Sequence, residues 1–400
     1  MSTPKLPAAG GPLLAFAMAV IHPYFLTAYR IRGWGRLPRK RGATLLITNH
    51  QHDLDTTALI MRLAVQGPWK HPIYTTGSRR MFEPGFMEVR VQWIRSLVGL
   101  VDWSWMFRLL GVLPIENELR WRSVAAIAWA VYRRHGDLPA ADVFGERAAT
   151  EVGRATTLRQ LVGRTPLEEK EYVSIATLRE PYRREVLDEL RGQVEADLTL
   201  IESVLRAGGT LYLTAEGRYT RDGRIGRFRA SLARLAPLGD IYLLALSYDP
   251  FVAKRLSLLY RVTKPQDPAD LRTSLAAARP VTLSQVFAAW LRDRASSFTR
   301  DEALAGVRAT LASVPPSAFV DPELAADPAL RLDAAMRWMT RSELLSACDD
   351  GTYRRGAKRT DARFPLVPDI LLHQANHFAE TVAACAGTRS PATASEPSSR

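Results

Sequence analysis

LLITNHQHDLDTTALI, residues 45–60, changes period halfway along. Residues 43–48 form a short apolar, β-branched run that reads as a strand. From about Leu54 the apolar residues recur at helical spacing, so the chain turns from strand to helix across His50-Gln51-His52-Asp53. A strand that feeds directly into a helix is the building unit of an α/β fold. The same corner packs two histidines and two aspartates into six positions, 50–55.

Working outward, β-rich runs recur at 73–76, 112–115, 210–214, 241–247 and 258–263, with helical stretches between them. This pattern predicts an α/β fold with a sheet flanked by helices. Between the third and fourth strands, residues 118–207 lack strand character and read as a helical insertion. They include PYRREVLDELRGQVEADLTLIESVLRAGG, 181–209, where Val186, Leu190, Val194, Leu198, Ile201 and Leu205 recur at three and four. That spacing predicts one long helix closed by Gly208-Gly209. The α/β domain is expected over 30–263. A helical C-terminal region follows over 264–385, with helices around 284–296, 301–312, 328–347 and 366–382, and a polar tail, 386–400, is expected to be disordered.

Lys and Arg number 54 against 41 Asp and Glu, a formal net charge of +13. Such a balance favours polyanionic partners: anionic lipid surfaces, phosphorylated or CoA-bearing substrates, or nucleic acid. No zinc-finger, basic-zipper or RNA-recognition signature is present, so nucleic acid is not expected as a partner. Two cysteines, Cys348 and Cys385, cannot build a disulfide framework and point to a reducing, cytosol-facing location. The segment LLAFAMAVIHPYFLTAY, 13–29, is marginal for a span, is interrupted by Pro23, and is followed by Arg30, Arg32, Arg36 and Arg39-Lys40-Arg41. Its expected state is helical and lying on the membrane surface, with the basic cluster against anionic headgroups; packing on the protein's own core, and less so a true span or signal peptide, are the alternatives.

The His/Asp corner admits three readings. A metal site would use His50 and His52 with Asp53 or Asp55, but the spacing lacks the further ligands of known metallohydrolase patterns. HQANH, 373–377, puts Gln374 where a zinc protease has its glutamate, and is expected to be an ordinary solvated or capping helix face. In the acid/base reading His50 takes a proton from a hydroxyl while Asp55 fixes the ring's tautomer; no Ser or Cys nucleophile is adjacent, so a substrate hydroxyl would attack. In the structural reading Asp53 merely caps the following helix. A second candidate element is the strand 210–214 with Glu216-Gly217-Arg218 and the glycines at 223 and 226 after it, before a helix in RFRASLARLA. Arg218, Arg221, Arg224, Arg227 and Arg229 surround this loop, a combination suited to an anion.

NHQHDLD (49–55), RRMF (79–82), LLGVLPIEN (109–117), LYLTAEGRYTRDGRIGRF (211–228) and IYLLALSYDP (241–250), in that order, resemble the blocks of the glycerolipid (lysophosphatidic acid-type) acyltransferases. The resemblance covers roughly residues 30–250. It implies an acyltransferase-type mixed sheet, with His50 as general base and Asp55 as its orienter. Glu216, Gly217 and Arg218 fall at the acceptor's phosphate region, with Arg221 beside them. It further implies transfer of a fatty acyl group from acyl-CoA or acyl carrier protein to a lysophospholipid- or glycerophosphate-like acceptor at the membrane, without a metal or prosthetic group. Three departures stand out. Asn117 occupies the place of the family's phosphate-binding Arg, leaving that role to Arg120 or Arg122, or to no residue if the acceptor lacks a phosphate there. Ala215 replaces a proline and Arg218-Tyr219-Thr220 replaces Thr-Arg-Ser. The stretch 118–207 is longer than usual. All three bear on the acceptor, and none touches His50 or Asp55.

Overall fold

The computed structural model describes residues 23, 27–36, 42–52, 55–66, 73–82, 104–115, 121–153, 156–162, 172–216, 220–294 and 296–387. Most of the apolar segment 13–29, the residues Asp53, Asn117, Arg120, Gly217 and Arg218, and the tail from 388 lie outside them. Among the described residues no helix is long and apolar enough to cross a membrane.

Seven strands make a mixed, mostly parallel sheet: β1 (Tyr29–Trp34), β2 (Thr44–Thr48), β3 (Ile73–Ser78), β4 (Val112–Ile115), β7 (Thr210–Thr214), β8 (Asp240–Asp249) and β9 (Leu256–Thr263), in the order β1-β9-β8-β2-β7-β3-β4. The pairs β1/β9, β2/β8 and β3/β4 are parallel and β8/β9 is an antiparallel hairpin. Two short antiparallel pairs stand apart, β5 (Trp121–Ser123) with β6 (Tyr172–Ser174) and β10 (Leu345–Ala347) with β11 (Tyr353–Arg355). All six strands expected from the sequence form.

The chain divides into two units, 1–15 with 72–211, and 16–71 with 212–400. In the first, α2 (Ser104–Leu109) precedes β4, and α3 (Val124–His135), α4 (Ala140–Val143), α5 (Glu146–Val152), α6 (Leu158–Val162) and α7 (Tyr182–Arg206) follow it. Ile127, Val131, Phe144, Leu158, Leu161, Val186 and Leu190 close a common core. The long helix is α7, and it stops where Gly208 takes φ 78°, a left-handed conformation that glycine adopts without steric cost. Arg79 and Asp197 form a half-buried ion pair, Nη2 to Oδ2 at 2.5 Å.

In the second unit β2 is buried throughout, and its Leu45, Leu46 and Ile47 are each worth roughly 1.5–3 kcal/mol of hydrophobic burial. The helix α1 (Asp55–Gln66) follows it. After β7 come α8 (Ser231–Leu235), a remnant of the helix expected in RFRASLARLA that breaks into a 3₁₀ turn at Pro237, then β8 and β9. The C-terminal region is helical as expected: α9 (Leu271–Ala278), α10 (Leu283–Arg292), α11 (Arg300–Ala312), α12 (Pro322–Ala326), α13 (Pro328–Arg341) and α14 (Ile370–Cys385). Both α9 and α10 pack on α14. Where one helix was expected over 328–347, α13 ends at Arg341: Glu343 adopts φ 63° and the chain then pairs as β10. The strand β1 was not anticipated, because Arg30 and Arg32 interrupt its apolar residues. Those charges are met by carboxylates, Arg32 on Asp321 at 2.7 and 2.8 Å and Arg30 on Glu323 at 2.7 Å. Gly33 is required there, since a Cβ would lie 1.9 Å from the Tyr260 ring.

Candidate active site

The corner after β2 is built by side chains that complete backbone hydrogen bonds. Asn49 continues the ladder toward β8 with its amide: Nδ2–H donates to the Leu246 carbonyl at 3.1 Å, and Oδ1 accepts the Leu246 N–H at 2.7 Å. The next residue, His50, is thereby released from the sheet at a fixed point. Asp55 opens α1 and is fully buried. Its Oδ2 accepts the N–H groups of Gln51 at 2.6 Å and His52 at 2.8 Å, and lies 3.3 Å from His50 Nδ1. Its Oδ1 accepts the hydroxyl of Tyr248, from the SYD run of β8. Burial, with Asp55 alongside, holds the Tyr248 hydroxyl well above its ordinary titration range, so it stays a donor. One carboxylate therefore does two jobs: it satisfies the open N–H groups of the corner and it orients His50.

Glu216, just past β7, staples the second element to the first. Its Oε1 accepts the His50 N–H at 2.9 Å and its Oε2 the Gly226 N–H at 2.6 Å. Burial pushes its carboxyl up to about 7, outweighing those two hydrogen bonds and the nearby His50 and Arg279, which pull it down. The backbone donor at Gly226 is thus directed at an internal carboxylate. Arg221 is exposed on the same loop. Arg122, in the other unit, sends Nη2 to Gln193 Oε1 at 3.4 Å.

The loop 220–226 is fastened from α14 and α9. Glu380 Oε2 accepts the Ile225 N–H at 2.8 Å, Arg272 donates to the Ile225 carbonyl at 2.7 Å, and Asn376 Nδ2 donates to the Asp222 carbonyl at 3.1 Å. Arg279, fully buried, reaches Glu380 Oε2 at 2.9 Å and the His377 carbonyl at 3.2 Å. Gly223, at φ 84°, lies so close to the His373 carbonyl that a Cβ would come within 2.1 Å of its oxygen. Asn49, His50, Gln51, Glu216, Arg279 and His373 line a narrow crevice between the corner and this loop.

HQANH is not a solvated or capping face. His373 and His377 are buried, and His377 Nδ1 lies 2.6 Å from Gln51 Nε2 while its Nε2 lies 3.2 Å from the Ser247 hydroxyl. Burial lowers His373 to about 4, with Arg279 adding to the effect and Asp222 opposing it; His377 falls well below the ordinary range for the same first reason. Both rings are neutral. The periodicity of α14 gave a face for these histidines but not its depth, and Tyr248, Arg279 and Glu380 carried no local signal at all.

His52 differs from His50. Its Nε2 lies 2.8 Å from the Arg363 carbonyl, which can only accept, so that nitrogen carries its proton there. Among the described residues no group of three or more His, Cys, Asp or Glu side chains is placed to hold a metal ion. No protein-family model matches the chain, and no curated protein matches it.

Proposed function

We propose that this protein is an acyltransferase that moves a fatty acyl group from acyl-CoA or acyl carrier protein to a hydroxyl of a lysophospholipid- or glycerophosphate-like acceptor, at the cytoplasmic surface of a membrane containing anionic lipid. The observation that carries the reading is His50 Nδ1 set 3.3 Å from Asp55 Oδ2, with that carboxylate itself fixed by two backbone N–H groups and a tyrosine hydroxyl. With Nδ1–H directed at Asp55, Nε2 keeps its lone pair and is the base. It takes the acceptor's hydroxyl proton as the oxygen attacks the thioester carbonyl. The tetrahedral intermediate collapses with loss of the thiolate, which recovers the proton from the imidazolium. The net charge of +13 suits both a phosphate-bearing donor and an anionic surface.

Incubation with labelled acyl-CoA and a panel of lysolipids and polyols, read by mass analysis of products, tests the activity directly. His50→Ala is expected to lower transfer by about 10²–10⁴, the usual size of a lost general base. His52→Ala is expected to cost far less, since its Nε2 is engaged with Arg363. Circular dichroism serves as the folding control; loss confined to the His52 variant would sink the assignment.

A further inference from the structure

The stretch YRRGAKRTDARFPLVPDILL, 353–372, carries five cations against two carboxylates, Asp361 and Asp369. Both carboxylates are engaged within the protein. Asp361 Oδ2 meets Arg363 at 2.6 Å, and Asp369 caps α14, its Oδ1 accepting the Leu372 N–H at 2.9 Å. Lys358 and Arg359 are exposed, and neither is in an ion pair among the described residues. Partial burial first, then Arg359 close by, hold the Arg355 guanidinium below its ordinary range, with Asp369 opposing. Within the same stretch Pro365, Leu366, Pro368 and Leu372 face water, Leu366 being 47% and Leu372 44% exposed.

Hydrogen bonds draw these groups together. The Ile370 N–H donates to the Arg359 carbonyl at 2.8 Å, which sets Arg359 against the first turn of α14, where Leu372 lies. The Val367 N–H donates to the Phe364 carbonyl at 3.0 Å and closes the turn that carries Leu366. Arg363 reaches the turn between β8 and β9, donating to the carbonyls of Pro250 at 2.6 Å and Ala253 at 2.8 Å, and so brings the exposed Lys254 beside the stretch. From that turn Arg255 donates to the Tyr29 carbonyl at 2.8 Å, at the end of the apolar segment 13–29. On its inner side Phe364 packs edge-on against His52 and Tyr248, with ring centroids 5.5 and 5.4 Å apart. The exposed face therefore borders the His50 corner.

We propose that this face, Lys254, Lys358 and Arg359 with Leu366 and Leu372, docks on an anionic lipid surface. The leucines enter the headgroup layer and the cations meet its negative charge. The leucines favour lipid over nucleic acid, since a duplex has no apolar phase to receive them. Docking here would set the His50 corner at the membrane and would place the end of segment 13–29 on the same side. The proposal rests on the membrane location in the reading above and not on the chemistry of His50.

The test is sedimentation of the full chain with vesicles of phosphatidylcholine alone or with about one third phosphatidylserine. A cation near such a surface is worth about fivefold in binding, so Lys254→Gln/Lys358→Gln/Arg359→Gln is expected to lower binding to the anionic vesicles by at least about tenfold. Leu366→Ser/Leu372→Ser is expected to lose about tenfold or more, and its loss should persist at about 1 M salt, where that of the charge variant shrinks. Lys254→Arg/Lys358→Arg/Arg359→Lys, which keeps every charge, is expected to bind like the wild type. A control that removes three exposed arginines of the first unit, Arg147→Gln/Arg159→Gln/Arg191→Gln, is expected to lose less. Thermal melts confirm folding. Pelleting of the wild type that is absent, or that survives both patch variants, overturns the proposal; so does an equal loss from the control, which would assign the attraction to net charge. Loss of duplex DNA binding without loss of vesicle binding in the charge variant would make the face a nucleic-acid surface and overturn it too. No acyl donor enters this assay. Docking that fails while transfer to a micellar lysolipid persists refutes the face alone, and docking that holds without transfer refutes the acyltransferase reading alone.

Discussion

Tyr248 is the residue on which the geometry of the site most depends without touching a reacting atom. Besides His50 itself, its hydroxyl is one of three donors that meet Asp55, and the other two belong to the backbone and cannot be mutated away. A hydrogen bond to a charged group is worth about 1.5–3 kcal/mol, so Tyr248→Phe is expected to lower kcat of the proposed acyl transfer by about 10- to 100-fold, with KM little changed. The substitution keeps the ring's packing. In an Asp55→Asn background it is expected to add almost nothing, because its effect runs through that carboxylate; a double-mutant cycle of initial rates measures this. Additive losses would show that Tyr248 acts by another route. The corner was legible in the sequence because Asn49, His50 and Asp55 lie within seven residues and the change from strand to helix sets their mutual reach. Tyr248 was not, since LSYDP reads only as the end of an apolar strand, and which face of β8 meets the corner depends on pairing with β2 some two hundred residues earlier.

At the scale of elements, α14 is part of the site's foundation. The sequence shows the helix and its period, yet HQANH, 373–377, reads as a solvated or capping face and Glu380 gives no signal, because the partners of Asn376, His377 and Glu380 come from 222–225, 247 and 279. What hid Asn376, His377 and Glu380 is that each is paired: a buried charge or imidazole is tolerated when a partner meets it, and pairing across long separations leaves no local pattern. Glu380 is the clearest case, for it meets Arg272, Arg279 and the Ile225 N–H together. Glu380→Ala leaves the fully buried Arg279 without its carboxylate and is expected to destabilise the unit by about 3–5 kcal/mol in urea titrations. Asn376→Ala removes one hydrogen bond to the Asp222 carbonyl and is expected to cost about 1 kcal/mol. Equal and small effects from the two would mean that the loop 220–226 is held by its own packing.

For the molecule as a whole, the buried groups around the crevice set opposing dependences of stability on pH. Glu216 is raised to about 7 in the folded protein from an ordinary 4.5, so its contribution is full below about pH 4.5 and is lost as pH rises through 7. His373 is lowered from 6.5 to about 4, so its contribution is full above pH 6.5 and is lost as pH falls through 4, and His377 acts in the same direction. Each of the two numbered differences is worth about 3 kcal/mol over its window, and the windows overlap between pH 4.5 and 6.5 with opposite slopes. The wild type is therefore expected to be flatter there than either group alone would allow, with His377 tilting the balance toward loss in acid. Glu216→Gln removes the falling slope: relative to wild type it should gain stability as pH goes from 4.5 to 7, whatever fixed penalty comes from placing an amide against the N–H groups of His50 and Gly226. His373→Gln removes a rising slope and should gain on the wild type as pH falls from 6.5 to 4. Urea titrations at half-unit steps of pH on the three proteins separate these outcomes, and parallel curves for wild type and Glu216→Gln would mean that Glu216 is ionised in the fold throughout this range, with its charge compensated by Arg279 and the two backbone donors.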